Sequence, residues 1–171
     1  ISIGLQRRLP DGTIEIVAGL VYNPAANEMF WAEKGVGAFL NDRRLRVSAR
    51  RSMQESLFAT GIPFAKVSAR NRLSFARTLG ALMPQVAGIR RFGAAALDLA
   101  WVAAGRYDGY WELGIKPWDC AAGILLVREA GGYATNPAGE DLNDLPASID
   151  AVVGNPHLHA QLRELVASSI D

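Results

Sequence analysis

The chain has 171 residues, half of them apolar and a fifth charged, with 18 Lys and Arg against 17 Asp and Glu. That is ordinary for a soluble globular domain large enough to bury a core. No apolar run approaches the length of a bilayer span and nothing reads as a signal peptide. Cys120 is the only cysteine, which excludes an intrachain disulfide and fits a reducing, cytoplasmic compartment.

The first residues are an apolar alternation, Ile1-Ser2-Ile3-Gly4-Leu5, which predicts a strand and, with no initiating Met, a missing upstream segment. A turn at Pro10-Asp11-Gly12 leads to a return strand over 14–22. A second pair is predicted over 28–33 and 36–40, and a further strand over 44–47. Five arginines between Arg43 and Arg51 read as a charged, exposed strand edge, the alternative being a nucleic-acid patch, which no interleaved aromatic supports. From Ser52 the texture changes. Strands are predicted over 56–60, 86–92, 107–113, 132–135 and 151–154. They alternate with helices over 69–83, 94–104, 118–130 and 156–168, the first carrying an apolar spacing through Leu73, Ala76, Leu79 and Leu82. His157 and His159 read as surface residues of the last helix, with no ligand grouping for zinc. Residues 1–91 carry fourteen basic against six acidic side chains, and residues 92–171 four against eleven. That asymmetry fits either an anionic ligand near a metal or simple solvated faces.

The informative stretch is 116–132, Lys-Pro-Trp-Asp-Cys-Ala-Ala-Gly-Ile-Leu-Leu-Val-Arg-Glu-Ala-Gly-Gly. Its helix is apolar almost all round until Arg128 and should be buried. Asp119 stands at its N-terminus, where free amides and the helix dipole favour a carboxylate. Physics alone reads it as a cap before a ligand for a hard cation such as Mg²⁺. Gly93, Ala94 and Ala95 fall where a strand meets a helix, so their backbone can approach a ligand, or the glycine can simply allow tight packing. Alternation over 107–112 places Asp108, Tyr110 and Glu112 on one face, with Glu112 an exposed acid by default.

The run over 118–132 resembles the C-terminal signature of the inositol monophosphatase family, with a dozen residues in register. Residues 88–99 resemble its Arg-x-x-Gly-[Ser/Thr]-Ala-Ala-x-[Asp/Asn] segment, departing at Ala94, where relatives often carry a hydroxyl. Residues 17–24 and 33–39 resemble the β region that precedes the second domain. Gly61-Ile62-Pro63-Phe64 and the segment 88–132 lean toward the bacterial extragenic-suppressor branch. The resemblance implies an α+β layered sandwich, the αβαβα carbohydrate-phosphatase fold, lacking its N-terminal part. Residues 1–51 would be the remaining strands of the N-terminal sheet, and 52–171 a C-terminal α/β domain with a mixed sheet. It also implies that Asp119 binds a metal ion and substrate, that Gly93, Ala94 and Ala95 line the substrate pocket through backbone, and that Glu112 accepts from a sugar hydroxyl.

The family's other signature, Asp-Pro-x-Asp-Gly-Thr, and a further metal-binding Glu are absent, so no catalytic set is complete here. Pro10-Asp11-Gly12-Thr13 mimics that signature, but it lies in a hairpin turn and lacks the first Asp-Pro, so Asp11 is not assigned as a ligand. The function implied is an Mg²⁺-dependent phosphatase for inositol monophosphate or a related polyol phosphate, acting as a homodimer, with these residues alone nearly inactive. Fructose bisphosphate, adenosine bisphosphate and NADP are alternative substrates. A non-catalytic role in an RNA-polymerase-associated complex is the competing reading. It draws only on the suppressor-branch resemblance and the basic half of the chain.

Overall fold

The computed structural model describes residues 1–63 and 69–170. The first five strands, β1 (Ser2–Arg8), β2 (Ile14–Asn23), β3 (Glu28–Glu33), β4 (Gly37–Leu40) and β5 (Arg43–Arg44), form one antiparallel meander in chain order. The second sheet is mixed. β6 (Leu57–Thr60) pairs in parallel with β7 (Gly88–Arg90) and with β8 (Gly109–Ile115), and β10 (Ile149–Gly154) pairs antiparallel to β8 and to β9 (Tyr133–Thr135). Four α-helices accompany them: α1 (Ala69–Leu82), α2 (Ala95–Ala103), α3 (Pro117–Glu129) and α4 (His159–Ala167).

The helices form two layers. One core joins Ile16, Val21, Phe30, Ala32 and Ala38 of the first sheet to α2 and α3, and these to Ala59, Tyr110, Ala151 and Val153 of the second. On the opposite face of the second sheet, Phe58, Trp111 and Val152 pack against Leu82 of α1 and Leu162 and Val166 of α4. The described residues therefore make a β-α-β-α stack, four consecutive layers of an αβαβα sandwich. The outer face of the first sheet carries exposed Ile3 and Leu5 and a stacked Trp31–Phe39 pair. No helix among the described residues is long and apolar enough to cross a membrane.

Helix α3 lies between the two sheets, and Cys120 through Val127 are all buried. Each large apolar side chain so placed contributes roughly 1.5–3 kcal/mol, so the absence of a polar stripe matches an environment with no solvent side. Gly123 allows α2 to approach, because a Cβ there would stand closer than 3.0 Å to Leu99 Cβ.

Several expectations are corrected. In α1 the predicted apolar stripe is only partly the buried face: Leu82 is buried and Leu79 packs beside it, but Leu73 and Ala76 are exposed, and Ser74 and Thr78 are buried in their place. Thr78 tolerates burial by donating to the Ser74 carbonyl at 3.0 Å. The strand expected over 44–47 is only the two-residue β5, and the arginine cluster is not wholly a solvated edge. Arg50 pairs at 3.1 Å with Asp108, which is fully buried. Asp108 precedes β8 rather than sharing a face with Tyr110 and Glu112. It accepts from the Leu57 amide at 2.7 Å and from Ser48, tying the segment between the sheets to the second sheet. The last helix begins at His159, after a turn that the Asn155 side chain caps, its Oδ1 accepting the His157 and Leu158 amides. His159 is buried rather than on the surface; its Nε2 lies 3.1 Å from the Thr135 hydroxyl, and burial pushes its pKa down.

Candidate functional site

The three parallel strands end together. β7 runs out into Arg91-Phe92-Gly93, β6 into Gly61-Ile62, and β8 past Trp111 to Glu112. The carboxyl ends of parallel strands are where open α/β sheets leave a crevice. A cavity of about 190 Å³ lies there, lined by Gly61, Ile62, Arg91, Gly93, Ala94, Ala95, Asp98, Glu112, Ile115 and Asp119. The five residues singled out in the sequence, Gly93, Ala94, Ala95, Glu112 and Asp119, thus face one space. Phe64, the last residue of the Gly-Ile-Pro-Phe segment, lies outside the described residues.

Each wall has a local cause. Gly93 has φ +89°, which a residue with a side chain rarely adopts, and so turns the chain from β7 into α2. Ala94 is the N-cap of α2 and offers no side-chain acceptor, so no side chain caps this terminus. The Leu97 and Asp98 amides bond to the Ala94 carbonyl, which leaves those of Ala95 and Ala96 without an intrahelical partner, at the positive end of the helix dipole. In α3, Pro117 occupies the first turn and Asp119 is the third residue, not the N-cap. Its carboxylate reaches back to accept the Lys116 amide at 3.3 Å, one half of a capping box.

Glu112 is half-buried rather than exposed. Its carboxylate accepts the Tyr110 hydroxyl, two residues back on the same face of β8. It lies directly over Gly61, where a Cβ would stand under 3.0 Å from all three carboxyl atoms. Burial pushes its pKa up, the Tyr110 hydroxyl opposes that, and the neighbouring Asp119 adds to it. Burial also pushes Asp98 up to about 7, helped by Glu112 and opposed by Arg91. Cys120, beneath Asp119, is buried and its thiol is pushed up to about 12, so it is a packing residue and not a nucleophile. Asp11 lies in the β1–β2 hairpin turn, its carboxylate accepting the Thr13 amide at 2.9 Å.

Among the described residues that line it, the cavity holds three carboxylates against one cation, Arg91. Like charges at close range disfavour one another's ionisation, and their oxygens are the donors a hard cation prefers. Among the described residues, however, no three His, Cys, Asp or Glu side chains stand close enough to hold a metal ion. These residues can contribute donors to such a site but do not form a cage. Asp98, Arg91, Gly61, Ile62 and Ile115 are the lining residues that sequence reasoning did not assign a role. The Asp/Asn position of the 88–99 segment was the one available signal, for Asp98.

A model of the inositol monophosphatase family matches residues 1–171. The chain belongs to the inositol monophosphatase family. It is 47% identical over 165 residues to an inositol-1-monophosphatase of Caulobacter vibrioides, covering 96% of this chain and 62% of that protein. It is 51% identical over 120 residues to a Nus factor SuhB of Pseudomonas aeruginosa, covering 70% of this chain and 44% of that one. Its fold superposes on the extragenic suppressor protein suhB of Bartonella henselae with a TM-score of 0.82 and 44% identity, covering 92% of this chain and 61% of the other. The chain therefore spans about three-fifths of the length of the Caulobacter and Bartonella proteins.

Proposed function

We propose that these residues form the substrate-binding part of an Mg²⁺-dependent phosphatase acting on inositol monophosphate or a related polyol phosphate. What supports this reading is the convergence of the uncapped α2 terminus, the Asp119 carboxylate and the Glu112 carboxylate on one small cavity. The amides of Ala95 and Ala96 suit a phosphate. Glu112, held by Tyr110, suits a hydroxyl of the polyol, because a carboxylate accepts from O–H groups and repels phosphate. Asp119 would supply one oxygen ligand. Magnesium provides charge neutralisation at the phosphate and a more acidic water. One carboxylate holds Mg²⁺ poorly, so the residues of this chain alone are expected to be nearly inactive, and the family resemblance suggests a homodimer of the intact protein.

The test is Asp119→Asn in the intact protein. The amide oxygen still accepts the Lys116 N–H, so the fold should persist, but the charge is gone. Turnover should fall by about 100-fold or more, since several kcal/mol of charge stabilisation goes with the metal. Wild-type turnover at saturating Mg²⁺ would remove Asp119 from the metal site. The 51% identity to a protein named a Nus factor favours a second reading, a non-catalytic role in an RNA-polymerase-associated complex. Under that reading Asp119→Asn would co-purify with RNA polymerase as the wild type does.

A further inference from the structure

Asp98 sits in the first turn of α2 and is 1% exposed. Its Oδ1 is buried and has no hydrogen-bond partner among the described residues. No ion pair joins it to another described residue, and Arg91, on the same cavity, only tempers its surroundings. An unsatisfied buried polar atom costs about 1–3 kcal/mol, and more when it belongs to a charged group. The α2 dipole returns about 0.3–1 kcal/mol to an acid in the first turn, which does not cover that cost. A leucine has the same branched outline, somewhat larger, and carries no electrostatic cost, so packing alone gives no reason for a carboxylate here.

The cavity does give one. Asp98 lies three residues after Ala95, and so on the same face of the helix. Both line the same space as Glu112 and Asp119. A group bound at the α2 amides would therefore have the Asp98 Cα about 4.5 Å further along the axis, with its side chain leaning back toward that terminus, within reach of a hydroxyl on a small polyol phosphate. We propose that Asp98 is a second hydroxyl-binding carboxylate of this cavity, its Oδ1 accepting a hydrogen bond from a ligand hydroxyl beside the one held by Glu112. The inference rests on the reading of the cavity as a polyol phosphate site, and names a specificity residue within it.

The experiment is a binding titration of the intact protein with inositol monophosphate and, separately, with inorganic phosphate, using wild type, Asp98→Leu and Asp98→Asn. Asp98→Leu should weaken inositol monophosphate by about 10-fold or more, the loss of one hydrogen bond to a charged acceptor. Asp98→Asn keeps the shape and an acceptor oxygen, and should weaken it less. Inorganic phosphate, which reaches only the amide end, should lose much less affinity than the polyol phosphate in either variant. Equal weakening of both ligands would make Asp98 a determinant of cavity shape and overturn the proposal. So would inositol monophosphate bound equally by wild type and Asp98→Leu, which would leave the substrate reading standing. A wild type that binds phosphate but no polyol phosphate would instead sink the substrate reading, and this proposal with it.

Discussion

Gly61→Ala tests the site where fold and chemistry meet. A Cβ on Gly61 would lie under 3.0 Å from Cδ, Oε1 and Oε2 of Glu112, so the carboxyl group must retreat by about 1 Å or more to reach ordinary contact. A shift of that size breaks the bond to the Tyr110 hydroxyl and moves the acceptor away from any ligand hydroxyl. A hydrogen bond to a charged group carries about 1.5–3 kcal/mol, so KM for inositol monophosphate should rise between about 10- and 150-fold. An aryl phosphate without hydroxyls should be affected far less. Stability should fall modestly. Gly61 has an ordinary φ, so alanine stabilises by about 0.4–1 kcal/mol through the unfolded chain, which offsets only part of the Tyr110–Glu112 bond, about 1.5–3 kcal/mol. Kinetics on both substrates, together with thermal unfolding, measure the two parts separately. An unchanged KM for the polyol phosphate would refute the placement of Glu112 over Gly61. A fall in Tm beyond about 12 °C, at least 3 kcal/mol for a chain of this size, would show that the backbone rather than the side chain takes up the clash.

Three further outcomes are expected. Glu112→Gln should raise KM for inositol monophosphate more than it impairs an aryl phosphate, and equal losses on both would make Glu112 a general electrostatic residue. Asp108→Ala leaves the Leu57 amide and one side of Arg50 without partners. It should cost about 3 kcal/mol, the low end for a broken buried pair because Arg50 is half exposed, or about 6–12 °C in Tm; a loss below about 1 kcal/mol in denaturant unfolding contradicts the anchor role. Asp98 is the pH-sensitive case, its carboxyl pushed up to about 7 from 3.8 mainly by burial. Between those values the folded state keeps a proton that the unfolded chain releases, so this group's contribution is fully present below about pH 4 and is lost as pH rises toward 7. The Tm of Asp98→Asn relative to wild type should therefore climb across that window, and a difference independent of pH would contradict it.

Much of this architecture was legible because its causes are local. Alternation marks β2 and β3, Pro117 opens α3 and Gly131 follows its end, and an apolar helix without a polar stripe has to lie between two layers. Gly93, with Ala94 and Ala95, was readable as a close-approach turn for the same reason, and a carboxylate three residues into α3 follows from the chemistry of helix termini. What was not legible depends on partners far away in the chain. The buried face of α1 includes Ser74 and Thr78 because Trp111 and α4 set where it packs, and hydrophobic spacing carries no such information. Arg50 reads as one more surface arginine until the loop before β8 brings Asp108 to it, 58 residues on. Gly61 comes to lie under Glu112 through the parallel pairing of β6 with β8, in which Thr60 stands opposite Trp111. Asp98 is an unremarkable first-turn acid in sequence. Only the closure of the second sheet and α3 around α2 excludes water from it and leaves its oxygen unpartnered among the described residues, because burial and satisfaction belong to the assembled core and not to any stretch of chain.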